Sequence, residues 1–188
     1  MIRDIQDICK NDIIRKKRII GEMLYNDPDI IEVLDNPELD PSCPDEYLYQ
    51  NIYPFIRVPG VQDTSKSYIT YMLDDVDKAQ QNKAMRSQFL KVVIFVHQDL
   101  VKTKWGIDRH DLLACLVENI LHLSNKLGLQ INLTSNREGF TDTNYCTRTL
   151  QFEIITTNSM QPFQTNQYER KSIVDNHDKI LKRDVPGM

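Results

Sequence analysis

The run Phe89-Leu-Lys-Val-Val-Ile-Phe-Val96 constrains this chain more than any other stretch. A strand with one wet face alternates apolar and polar side chains. Here both parities are apolar apart from Lys91, so a strand must be covered on both faces and sit in the middle of a sheet. A buried helix is the competing reading. The run is too short for one, and Val and Ile favour the pleated surface.

The rest of the chain supplies what such a strand needs. Leu112, Leu113, Leu116, Val117, Ile120, Leu121 and Leu127 recur at helical spacing and predict one main packing helix, 110–127, beginning at Arg109. Asp108 is its expected N-cap, Asp111 suits the positive end of the helix dipole, and Gly128 is the expected stop. Leu129, Ile131 and Leu133 alternate with polar residues, as do Leu150, Phe152 and Ile154. Each set predicts a half-buried antiparallel strand, with a long loop, Ser135–Tyr145, between them. Upstream, Ile52–Val58 and Ser67–Asp74 read as a hairpin around the loop Pro59–Lys66, with Pro54 confining the first strand to an edge. The expected class is α+β: a small, mostly antiparallel sheet with one main packing helix, N-terminal helices and an extended C-terminal tail.

Three regions follow. Residues 1–45 hold helical spacing through Ile5, Ile13, Ile20 and Leu24, a short helix after Asn26-Asp-Pro28, and a Pro-rich linker with Pro37, Pro41 and Pro44. The linker would let these helices lie apart from the main domain or against a neighbour. Residues 46–157 form the α/β domain. Residues 158–188 are polar with few apolar anchors, and read as an extension that is disordered alone or orders on another subunit.

The chain has 188 residues and a formal charge of -4, which argues against a general nucleic-acid binder. No apolar run approaches the roughly 18 residues of a membrane span, and the N-terminus has no apolar signal core. Cys9, Cys43, Cys115 and Cys146 are scattered without a CxxC pair, so reduced thiols in a cytosolic setting are expected. The cluster Arg15-Lys-Lys-Arg18 reads as a solvated face or as the partner of an acidic neighbour.

Candidate chemistry is sparse. Asp74, Asp75 and Asp77, with Glu118 or Glu153, are the residue types of a metal-dependent nuclease, yet successive strand residues point to opposite faces. A surface turn explains them better. His97 and Asp99, near His110, are the types of an acid–base pair, but no nucleophile accompanies them. The six glycines are far apart, so no phosphate-cradling loop is present. No cofactor or metal is expected. Long loops often carry contacts. Phe140 and Tyr145 in the Ser135–Tyr145 loop are therefore either interface residues or core.

The order of elements, with the stretches SYITYMLDD, FLKVVIFVHQDLVKTKWGIDRHDLLACLVENIL and YCTRTLQFEI, resembles the tail-terminator and head-to-tail joining proteins of tailed bacteriophages over roughly Ile52–Thr157. The resemblance implies a structural, non-enzymatic virion protein forming a hexameric ring at the top of the tail tube. Its partners would be its own copies, the tail tube protein and the head-completion or connector proteins, with genomic DNA passing unread through the lumen. It would assemble in the host cytoplasm, end in the phage neck and contact no membrane. Val61, Gln62, Asp63, Arg137, Phe140, Tyr145, Tyr168 and Arg170 are the expected interface residues. Another neck component is the alternative, and a nuclease using the three aspartates is the reading from a different class.

Overall fold

The computed structural model describes residues 12–60, 65–75, 85–141 and 143–157. It has five strands, β1 (Ile52–Tyr53), β2 (Ser67–Asp75), β3 (Met85–His97), β4 (Gln130–Phe140) and β5 (Tyr145–Thr157), in the order β1-β2-β3-β5-β4. The class is α+β, and β3 is the central strand. Its alternate residues Leu90, Val92, Ile94 and Val96 enter the main core, while Val93 and Phe95 join Tyr53, Tyr68 and Tyr145 in an aromatic cluster on the opposite face. Burial of both parities explains why the sequence there does not alternate.

Among the described residues three α-helices share the main core: α1 (Asp12–Tyr25), α2 (Pro28–Leu34) and α3 (Arg109–Leu121). Asp27 caps α2, accepting at 3.0 Å from the backbone N–H groups of both Asp29 and Ile30, with Pro28 in its first turn, as expected from Asn26-Asp-Pro28. Ile20 and Leu24 of α1 and Ile30 and Leu34 of α2 are fully or almost fully buried in that core. The N-terminal helices therefore complete the packing of the sheet and do not lie apart from it. The Pro-rich stretch after them is pinned by a buried relay, in which Asn36 donates to Asn51 at 2.7 Å and Asn51 donates to the Ser67 carbonyl at 2.8 Å.

Several expectations need correction. β1 is two residues long and pairs parallel with β2, Ile52 facing Ile69, so Ile52–Asp74 is not a hairpin. Pro54 ends the strand, and the following dozen or so residues are enough for a parallel return. The helix from Arg109 stops at Leu121, short of Gly128. Leu123 takes the left-handed conformation at φ 59° and donates to the Ile131 carbonyl at 2.8 Å, turning the chain into β4. Gly128 serves close packing instead: a Cβ there would lie 2.6 Å from the Ile155 carbonyl oxygen. Asp108 holds the N-cap position, but its side chain makes no cap bond.

The expected loop Ser135–Tyr145 is mostly strand. β4 continues to Phe140 and β5 starts at Tyr145, joined by a tight turn in which Thr141 and Tyr145 bond backbone to backbone at 2.9 Å. The register shifts between Leu133 and Ser135. Before this bulge the odd residues Ile131 and Leu133 face the helices; beyond it Asn136, Glu138 and Phe140 pair with Leu150, Arg148 and Cys146 on that face. One extra residue inverts the pattern.

Candidate functional site

The end of the sheet where β4 turns into β5 carries three of the exposed large apolar side chains, Trp105, Ile107 and Phe140. From Thr134 to Phe140 most of β4 is exposed, unlike Ile131, which is buried. β4 is the last strand of the sheet. Its outer edge is covered first by Leu123 and Ser124, which bond Ile131, and by the His122 ring, which accepts from the Leu133 N–H at 3.2 Å. Beyond Leu133 no strand among the described residues pairs with that edge. Phe140 at its tip is 63% exposed, and Trp105 and Ile107 in the connection before α3 are 46% and 50% exposed. That connection is tied to the same end, since Gln98 donates to the Asn144 carbonyl at 3.0 Å.

Of the expected interface residues, Arg137 and Phe140 lie exposed on this edge. Tyr145 does not present a surface. It is 1% exposed, packed against Tyr68 and edge-on to His97 at 5.1 Å between ring centres. Val61, Gln62, Asp63, Tyr168 and Arg170 lie outside the described residues, as does Asp77.

The residues expected for catalysis are dispersed. Asp74 and Asp75 are exposed on opposite faces of β2, and Asp75 accepts from the Gln88 amide at 2.7 Å. Glu153 accepts from the Ser87 hydroxyl, and Glu118 is on α3. His97 pairs with Asp99 at 3.2 Å, while His110 has a separate set of neighbours.

Those neighbours form a polar cluster under the exposed edge. His110, in the first turn of α3, is 3% exposed. Its Nε2 lies 3.6 Å from an Asp111 oxygen and 3.6 Å from a Glu138 oxygen on β4. Arg148 on β5 places Nε 3.1 Å from the same Asp111 oxygen and Nη1 3.6 Å from Glu138. Neither ring nitrogen of His110 has a hydrogen-bond partner. The Cys146 thiol sits nearby on the same face; burial pushes its pKa up, and the charges of Glu138 and Asp108 add to that. Sequence reading missed the cluster because Glu138 and Arg148 are distant from His110 in the chain.

The fold and surface thus define a small α+β domain with helices packed on its sheet and a long, partly open edge strand. The model of the YomW family matches residues 12–154, well over half of the chain. The chain belongs to the YomW family, which makes it a phage-associated protein. A search among curated proteins found no match.

Proposed function

We propose that this protein is a structural virion component, the tail terminator of a tailed phage, forming a hexameric ring that ends tail tube growth and joins tail to head. The observation that supports this reading most is the open outer edge of β4 from Thr134 to Phe140, with Phe140, Trp105 and Ile107 exposed at the same end. An uncovered edge strand is a template for another chain, and proteins that work alone usually blunt such edges. In a closed ring each subunit meets its neighbour through two different surfaces, and a half-covered edge ending in an aromatic side chain suits one of them. The phage association of the family agrees with a virion role. The charge of -4 agrees with a lumen that lets DNA slide.

The partners in this reading are copies of the chain, the tail tube protein and the head-completion or connector proteins. No catalytic residue or cofactor takes part, and the protein would pass from host cytoplasm to the phage neck. Another neck layer would use the same surfaces. The test is the mass of the purified full chain by light scattering, alone and with tail tubes. A ring-sized species, alone or on the tubes, is expected. A monomer that ignores tubes and cuts DNA with Mg²⁺ would overturn the reading in favour of a nuclease.

A further inference from the structure

We propose that Asp108, His110 and Asp111 at the start of α3 form a binding site for a divalent transition-metal ion, with zinc as the best match. One ligand atom from each of the three lies within 4.8 Å of the others, and no other group among the described residues is so arranged. Two carboxylates at a helix start would by themselves be an ordinary electrostatic feature. Two further observations point to a cation.

The first is His110. An imidazole that is 3% exposed with both nitrogens lacking hydrogen bonds bears a substantial desolvation cost. Its Nε2 stands 3.6 Å from carboxylate oxygens of Asp111 and Glu138. That separation is too long for hydrogen bonds. It is close to the spacing of about 3.3 Å between two ligands of one tetrahedral ion with bonds near 2.0–2.1 Å. The second is Asp108, which occupies the N-cap position but gives up the cap bond, leaving its carboxylate available to the group. Arg148 pairs with Asp111 and Glu138, so the three carboxylates of Asp108, Asp111 and Glu138 outnumber the one guanidinium. A dication would offset the remaining negative charge.

A neutral imidazole with two carboxylates suits zinc, manganese or iron(II) better than magnesium or calcium, which prefer oxygen alone. Glu138 and Arg148 are then the outer partners that orient the ligands from the hairpin. The bound ion would brace the start of α3 beneath the β4–β5 turn. The site does not depend on the proposed ring, because its ligands come from a single chain.

The test is calorimetric titration of the chelator-stripped full chain with Zn²⁺, together with the visible absorption of the Co²⁺ form. One ion per chain is expected. Asp108→Asn and His110→Gln should each weaken Zn²⁺ binding by at least about 100-fold, the upper end of what even outer partners cost. Cys146→Ser should leave binding intact. Asp108 is exposed, so its variant reads the site even where His110→Gln fails to fold. Absence of Zn²⁺ binding would reduce the cluster to an ion-pair clamp and overturn the proposal. Wild-type affinity in Asp108→Asn, or loss only in Cys146→Ser, would overturn it equally.

Discussion

Lys16 on α1 donates from its ammonium to the side-chain oxygen of Gln88 on β3 at 2.6 Å, with 1% and 0% of the two residues exposed. The same ammonium pairs with Asp12 at 2.8 Å, and the Gln88 amide reaches Asp75 on β2 at 2.7 Å. One buried network therefore ties α1 to β2 and β3. Arg15 and Arg18, its companions in the basic cluster, remain on the surface paired with Asp12 and Glu22.

Replacing Lys16 by Met keeps most of the volume and leaves the Gln88 oxygen unsatisfied. The expected loss is about 1–3 kcal/mol of stability, read as a lower urea midpoint with an unchanged slope. A loss under about 0.5 kcal/mol would mean that water replaces the ammonium.

Asp12 gives the network a pH dependence. Burial alone would raise its carboxyl pKa, but the neighbouring Lys16 and Arg15 outweigh that and hold it below the ordinary value of 3.8. A group depressed in the folded state adds stability that is fully present above its unfolded pKa and is lost as pH falls through the folded one. Stability should therefore decline below about pH 4, and Asp12→Asn should flatten that part of the curve. Parallel curves for the two proteins, measured by thermal unfolding between pH 2 and 6, would remove Asp12 from this role.

Gly128→Ala should destabilise the fold by about 1–3 kcal/mol. The added methyl would meet the Ile155 backbone oxygen at 2.6 Å and Thr156 Cγ2 at 2.7 Å, and backbone in a paired strand has little freedom to retreat. Were Gly128 a helix cap, the strain would come from a positive φ, yet among the described glycines only Gly106 has one. An unchanged melting temperature would contradict the close packing.

Phe140→Asp separates assembly from folding. The side chain is 63% exposed, so the monomer should keep its stability within about 0.5 kcal/mol. Ring formation or binding to tail tubes, followed by sedimentation, should fall sharply. Normal assembly by this variant would take the β4 tip out of the interface.

The central strand was legible because burial on both faces writes itself into consecutive residues, Val92 to Val96. The cap of α2 was legible because Asp27 and Pro28 are adjacent. The outer half of β4 was not, since the bulge after Leu133 inverts the alternation and makes Asn136–Phe140 read as polar loop. The parallel pairing of Ile52 with Ile69 leaves no local trace. Lys16 did carry a signal: it stands four residues before Ile20 and eight before Leu24, on the stripe that α1 buries. Asp108, His110 and Asp111 are near neighbours in the chain, but the burial of His110 and its approach to Glu138 and Arg148 come from two distant strands and leave no spacing to read.

The place of β3 also decides the order in which the molecule can be made. Its pairing with β2 is local, but its other side joins Met85 to Thr157 and His97 to Tyr145, contacts that a growing chain reaches late. During synthesis the most apolar strand stands with one flank bare until β5 has left the ribosome. Expression of this protein should therefore depend on chaperones that shelter nascent chains, and truncation before Tyr145 should yield insoluble material.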